Sequence, residues 1–266
     1  MPLPSLEHLT SLALEAANAA AHVLIDHLRD ENDELVIRAK RDGTLVSAVD
    51  IESHRTIEGI LAPSGIPIIS EEGELPPFSI RSKWPLFWLV DPLDGTESYL
   101  AHRSGFAVNI ALCDLSGPIL GVIADPISRA IFGGSIEAKP FKAELDDWRS
   151  PSTIQPLPIQ KPYTLVTSWN EPLTKLELLP VAFRELDVTV HPVSGALKFC
   201  QIVTGHADIH VRSGSYMEWD CAAGDAIVRS AGMSVLSRDD DQPLRYNSLS
   251  LRVGGLWVTR LPMDQR

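Results

Sequence analysis

The chain has 266 residues, with 35 acidic against 23 basic side chains, a formal net charge of −12 and an isoelectric point near 5.1. Such a surface repels the phosphates of a nucleic-acid polymer and argues against that class of partner, while a small anionic ligand stays open wherever metal ions neutralise the site. The length suits one large domain or two small ones; no apolar run approaches the ~18 residues of a membrane span, and the start lacks the cationic-then-apolar pattern of an export signal.

Residues 5–29 predict the first helix. Ser5 can cap it, and Leu6, Leu9, Ala13, Ala16, Ala17, Ala20, Val23, Leu24 and Leu28 recur at helical spacing. Its alanine-rich face predicts close packing against a sheet or another helix, with His8, His22 and His27 at the surface or boundary. Asp42-Gly43 has the composition of a hairpin turn. Asp50 is placed to cap a helix reaching Leu61, which Pro63 and Gly65 end. Residues 66–70 form a short apolar strand that runs straight into Glu71-Glu72-Gly73, and 74–86 read as a loop.

Phe87-Trp-Leu-Val90 is a buried strand by its unbroken apolar run. It meets a carboxylate, Asp91, and Pro92, which lacks the N–H a sheet needs. Asp94-Gly95-Thr96 then reads as a turn and a helix start, the helix running to about residue 101. Three antiparallel strands follow at 106–113, 119–125 and 130–134. The proline-rich stretch 144–162 is the expected connection between an N-terminal half, 1–149, and a C-terminal half, 150–266. The second half alternates: strand 163–168, helix 173–184, strand 188–190, a helix opened by Ser194-Gly195-Ala196, strand 207–211, helix 220–231 and strand 234–236. That rhythm predicts an α/β sheet. Cys113, Cys200 and Cys221 lack metal-type spacing and read as buried thiols in a reducing cytosol.

Two strands therefore end in carboxylates, at Glu71 and at Asp91. In α/β folds, ligands gather at the carboxyl ends of strands. Two aspartates three residues apart at such an end can face one point in space. Their hard oxygens suit Mg²⁺, and a helix start behind them aims backbone N–H groups at an anion. These residues describe a corner for metal and phosphate. Asp220, in Trp219-Asp220, would add a carboxylate at another helix start.

Asp91-Pro-Leu-Asp-Gly-Thr96, Trp219-Asp-Cys-Ala-Ala-Gly224, Glu71-Glu72 and the Asp50 that closes Thr44-Leu-Val-Ser-Ala-Val-Asp50 together resemble the Mg²⁺-dependent, lithium-sensitive phosphatase superfamily that includes inositol monophosphatase. Within it, Val108-Asn-Ile-Ala-Leu112, Ser194-Gly-Ala-Leu-Lys-Phe-Cys200 and Met217-Glu-Trp-Asp220 are most similar to bacterial 3′(2′),5′-bisphosphate nucleotidases, which remove the 3′-phosphate of 3′-phosphoadenosine 5′-phosphate. The resemblance implies a layered αβαβα sandwich. It also implies two or three Mg²⁺ ions held by Glu71, Asp91, the Leu93 carbonyl, Asp94 and Asp220. Glu71 and Thr96 would activate the attacking water, with Asp50 behind Thr96. Substrate contacts are expected at Asp94, Gly95, Thr96, Ser194, Gly195, Lys198, Arg212 and Asp220.

Three places depart from the nucleotidase pattern. Glu97-Ser-Tyr99 stands where a Lys-Glu-Phe is usual, Arg103-Ser-Gly-Phe106 replaces Asn-Gly-Glu-Phe, and His210-Val-Arg212 replaces Tyr-Pro-Arg. Lys198 and Arg212 remain the basic candidates for a substrate phosphate. The expected partner is a small nucleotide bisphosphate handled by a cytoplasmic monomer or homodimer, with peripheral association to the inner membrane left open. The alternatives are a monophosphatase of inositol, polyol or histidinol phosphates, or a metal-binding regulator without catalysis.

Overall fold

The structure, a computed structural model, describes residues 4–29, 37–39, 45–102, 105–168 and 183–262. Helix α1 (Leu6–Arg29) is followed by the two-stranded ribbon of β1 (Ile37–Ala39) and β2 (Leu45–Ser47), then by α2 (Ala48–Leu61) and β3 (Ile68–Ser70). Next come α3 (Phe78–Arg81), β4 (Leu86–Asp94), α4 (Thr96–His102) and a meander of β5 (Ala107–Asp114), β6 (Gly117–Asp125), β7 (Ala130–Ser135), β8 (Ala138–Glu144) and β9 (Ser152–Thr153). The remainder is β10 (Tyr163–Thr167), β11 (Val188–Pro192), α5 (Leu197–Thr204), β12 (Ile209–Arg212), β13 (Tyr216–Met217), α6 (Glu218–Ser230), β14 (Leu236–Ser237), β15 (Arg252–Val253) and β16 (Leu256–Thr259).

Strands β3 to β9 make one seven-stranded sheet in sequence order, parallel only at β3–β4. A second, five-stranded sheet has the order β11-β10-β12-β16-β14. Helices α1 and α2 cover one face of the first sheet; α6 covers the other, with α5 between α6 and the second sheet. Strand β4 shows why its sequence is apolar throughout. Trp88 and Val90 point into the core beneath α1 and α2, while Phe87 and Leu89 point into the core around α5 and α6. A strand covered on both faces loses the alternation of a half-exposed one. Gly121 lets α6 approach closely, since a Cβ there would lie 2.1 Å from the Ala223 carbonyl oxygen.

The expected α/β layering is present: helices, sheet, helices, sheet. Phe183 packs edge-on against Trp257 at 5.5 Å on the outer side of the second sheet. The helix expected at 173–184 lies outside the described residues except for its last two positions, and the turn at Asp42-Gly43 and Arg103 lie outside them too. Ser5 does cap α1, its Oγ accepting from His8 N at 3.3 Å. All three cysteines are buried and free.

Several local expectations are corrected. Pro92 does not stop β4; a register shift between Asp91 and Asp94 absorbs the missing donor, and pairing with β5 resumes at Asp94–Ala107. Asp50 is not a cap, because α2 begins at Ala48 and carries Asp50 inside its first turn. The helix expected to open at Asp220 begins two residues earlier, at Glu218; Asp220 is the third residue of α6 and its Oδ2 accepts from Met217 N at 2.9 Å. The 74–86 loop contains α3. Strands β8, β15 and β16 had no counterpart in the expected elements, and 144–162 contributes β9 to the first sheet.

Candidate metal and phosphate site

The bulge in β4 shapes the site. It turns Asp91 and Asp94 toward the same side, and Leu93 N donates to Asp91 Oδ1 at 3.0 Å. From below, Ser53 on α2 donates to the Pro92 carbonyl at 2.8 Å and fixes the bulge to the helix layer. Glu71 enters from the end of β3, whose amide donates to the Val90 carbonyl at 3.1 Å. Asp220 arrives from the first turn of α6.

One oxygen from each of Glu71, Asp91 and Asp220 lies within 4.8 Å of the others. Asp91 is 2% exposed. Burial, then the charges of Glu71, Asp94 and Asp220, push its carboxyl well above the ordinary carboxylate range. Burial and the neighbouring Asp94 and Glu71 raise Asp220 to about 8. Carboxylates held this close repel one another unless a cation joins them. The donor set is all oxygen, without a convergent Cys or His, which is the chemistry a hard divalent ion takes. The residues therefore fit a metal centre.

Asp94 stands beside this trio and is oriented by the second half. Its Oδ2 accepts from Asn109 Nδ2 at 3.2 Å and from the Ala196 amide. Gly195 permits that approach: its φ is +54°, and a Cβ there would sit 2.5 Å from Asp94 Oδ2. Thr96 Oγ1 is 3.1 Å from Asp50 Oδ1 and 3.2 Å from the Leu93 carbonyl oxygen. Asp50 is buried and is joined to the site through Thr96.

A cavity of about 270 Å³ opens over these groups. Its lining includes Glu71, Asp91, Leu93, Asp94, Gly95, Thr96 and Asp220 together with Ser194, Gly195 and Arg212. Lys198 does not belong there. It is fully buried, its Nζ donates to the Val193 carbonyl at 3.1 Å, and burial draws its pKa down to about 8. The side chain, expected to contact substrate, is buried on α5 near Asp94 and Asp220, whose charges oppose the fall in its pKa. Arg212 remains, donating to Ser168 Oγ at 3.0 Å with its guanidinium carbon 3.7 Å from the centroid of the Tyr216 ring.

Six groups at the site, Asn109 among them, carried no expected role. Ser168, Tyr216, Glu97 and Ser98 line the cavity, and Trp219 Nε1 donates to Glu71 Oε2 at 3.1 Å. Asn109 was legible in retrospect: a lone amide inside the apolar run of β5 needs a partner. Ser168 and Tyr216 had no such signal.

Residues 5–260 of the chain match the inositol monophosphatase family. The chain belongs to the inositol monophosphatase family. Among its relatives in that family, the 3′(2′),5′-bisphosphate nucleotidase CysQ of Escherichia coli strain K12 is 31% identical over 233 residues, 86% of this chain and 89% of that one. CysQ of Salmonella typhimurium strain LT2, of the same name, is 33% identical over the same shares. The crystal structure of CysQ from Bacteroides thetaiotaomicron, described as a bacterial member of the inositol monophosphatase family, superposes with a TM-score of 0.84 at 28% identity, covering 96% of this chain and 97% of that one. The inositol monophosphatase of Anabaena sp. PCC 7120 shares the fold, with a TM-score of 0.70 at 24% identity over 96% and 91% of the two chains. As a member of this family the protein is a metal-dependent phosphatase with an α/β fold. Among the described residues, no helix is long and apolar enough to cross a membrane.

Proposed function

We propose that this protein is a Mg²⁺-dependent 3′(2′),5′-bisphosphate nucleotidase that converts 3′-phosphoadenosine 5′-phosphate to AMP and phosphate. The observation that carries the substrate half is one cavity lined by both the carboxylate cluster and Arg212. A substrate with two phosphates needs both: cations on the carboxylates for the phosphate that leaves, and a fixed guanidinium for the one that stays. The nucleotidase names of the relatives at 31–33% identity support the same reading.

In this reading Glu71, Asp91, the Leu93 carbonyl, Asp94 and Asp220 hold two or three Mg²⁺ ions. Bound there, the ions neutralise phosphoryl charge and make a water acidic enough to attack at neutral pH. The chain's own residues do the rest. Thr96 has one hydroxyl proton and two acceptors in reach, so its lone pairs are free to accept from the attacking water. As that water loses a proton to Thr96 Oγ1, the threonine proton passes to Asp50. Glu71 orients the same water, held in turn by the Trp219 indole. Gly95, Thr96, Ser194 and Gly195 wall the phosphate, and Arg212 takes the second one. The reading places the active site between an N-terminal half, 1–149, and a C-terminal half, 150–266. It assigns the enzyme to the cytoplasm as a monomer or homodimer.

Phosphate release from 3′-phosphoadenosine 5′-phosphate and from inositol 1-phosphate, measured side by side with Mg²⁺, tests the proposal. A clear preference in kcat/KM for the nucleotide is expected. Preference for inositol 1-phosphate would overturn the substrate half and leave the metal half standing.

A further inference from the structure

Two buried charges outside the cavity take no part in the chemistry described so far. Arg81 on α3 is 3% exposed, and Glu218, the first residue of α6, is fully buried. They grip one turn from opposite sides. Arg81 Nη1 donates to Asn247 Oδ1 at 2.5 Å, and Nη2 donates to the Ser248 and Leu249 carbonyls at 2.7 and 2.9 Å. The Asn247 and Ser248 amides donate to Glu218 Oε2 and Oε1 at 2.6 and 2.9 Å. Asn247 Nδ2 returns to the Arg81 carbonyl at 2.7 Å.

Buried ion networks of this sort add little net stability compared with well-packed apolar side chains, so stability alone is a weak reason for one. Their position is more informative. Arg81 lies ten residues after Glu71 on the same connection, and Glu218 lies two residues before Asp220. Trp219, between Glu218 and Asp220, donates its indole N–H back to Glu71. The Glu218 amide also donates to the Leu251 carbonyl at 2.9 Å, tying the start of α6 to the same loop. The chain from Glu71 to Arg81, the bonds of Arg81 and Glu218 to the 247–249 turn, and the Trp219 bond back to Glu71 thus tie the two carboxylates Glu71 and Asp220 to one network.

We infer that Arg81 and Glu218, acting through Asn247 and Ser248, are positioning residues that set the separation of Glu71 and Asp220. This rests on the metal-site reading above. Hydrogen-bond partners of a metal's own ligands fix ligand orientation, and their loss commonly weakens metal binding by about 10- to 100-fold. Arg81 and Glu218 act one step further out, through the 247–249 turn and the chain to Glu71 and Asp220, so the low end of that range applies. Arginine suits the role because its planar fork reaches three acceptors in fixed directions, which a lysine ammonium cannot.

The test is calorimetric titration of Mg²⁺ into the full-length, metal-free protein without substrate, with the metal-free Tm measured in parallel. The variants are Arg81→Ala, Arg81→Lys and Asn247→Gly. Asn247 has a φ of +58°, so glycine keeps the turn while removing both side-chain bonds to Arg81. Mg²⁺ affinity is expected to fall on the order of 10-fold in Arg81→Ala. A smaller fall is expected in Arg81→Lys and in Asn247→Gly, the latter at a metal-free Tm close to that of the unaltered chain. If Arg81→Ala does not fold, Asn247→Gly decides. Unchanged Mg²⁺ affinity in Asn247→Gly and Arg81→Lys, with at most a lower Tm, would overturn the inference and leave the metal reading intact. An unaltered chain that takes up no Mg²⁺ would overturn both.

Discussion

Thr96 Oγ1 lies 3.1 Å from Asp50 Oδ1, so a residue at the start of α4 is joined to one in the first turn of α2, 46 positions earlier. In the proposed mechanism the pair would give the attacking water a proton route that needs no histidine. Thr96→Ala removes the relay and is expected to lower kcat by roughly 10²- to 10⁴-fold, the range for a lost acid–base group. Thr96→Ser restores the hydroxyl and should recover most of it. Asp50→Asn keeps an acceptor but cannot take the proton, so its kcat should fall with Mg²⁺ affinity unchanged. A Thr96→Ala enzyme with unaltered kcat would remove the relay from the mechanism.

Arg212 and Lys198, paired by sequence, are separated by structure. Arg212→Ala should raise KM for 3′-phosphoadenosine 5′-phosphate by about 10- to 100-fold, the worth of charge-assisted hydrogen bonds, while KM for a monophosphate stays put. Arg212→Lys should fall between, since it keeps the charge and loses the fork. Lys198→Met should leave both KM values alone and cost the fold little, because a buried ammonium carries its own desolvation penalty. Steady-state kinetics on the two substrates separates these outcomes.

The difference between those two residues marks where sequence stops informing. The carboxylate cluster was legible because its members come from local patterns: an apolar strand ending in a carboxylate at Glu71 and Asp91, and an acidic first turn at Asp220. The helices α1 and α6 were legible from their period. Lys198 was not, since α5 is short and apolar on most sides, and only the packing of α5 between α6 and the second sheet decides which way the side chain turns. Nor was the continuation of β4 past Pro92, because a bulge is settled by the partner strand. Ser168 meets Arg212 across neighbouring strands of the second sheet, and Tyr216 reaches it from the separate β13–β15 ribbon, relationships that the sequence pattern does not show.

Gly195 and Asp94 test how closely the second half must press on the first. A methyl group at Gly195 would fall 2.5 Å from Asp94 Oδ2 and would hold an L-residue at φ +54°. Gly195→Ala should therefore lose about 1–2 kcal/mol of stability from the left-handed backbone and also displace Asp94. The second effect is the diagnostic one: the Mg²⁺ concentration for half-maximal activity should rise. A loss of Tm without that rise would show that Asp94 tolerates the shift.

Glu97 is exposed at the mouth of the cavity, where it faces any anion that enters. An exposed charge acts weakly and is screened by salt. Glu97→Lys should raise kcat/KM for the bisphosphate by about threefold at low ionic strength, with Glu97→Gln between. The gain should vanish at 0.5–1 M salt, roughly where the Debye length falls to a few ångströms. A gain that persists there would mean direct contact with the substrate instead of a field at the entrance.

Asp225 carries the clearest pH signature away from the cavity. It is 3% exposed, and burial raises its pKa to about 7, against the opposing pull of the Tyr246 hydroxyl, which donates to it at 2.9 Å, and of Arg229. A carboxyl with a raised folded pKa binds its proton more tightly in the folded than in the unfolded chain. The stability it lends is complete below its unfolded pKa of about 3.8 and is lost as pH climbs through about 7. The whole change is about 4 kcal/mol at most. Asp225→Asn keeps the shape and the acceptor for Tyr246 but cannot titrate. Its Tm should exceed that of the unaltered chain above pH 7, and the difference should shrink steadily toward pH 4. Parallel melting curves for the two proteins across that range would show that Asp225 titrates as an ordinary surface carboxylate.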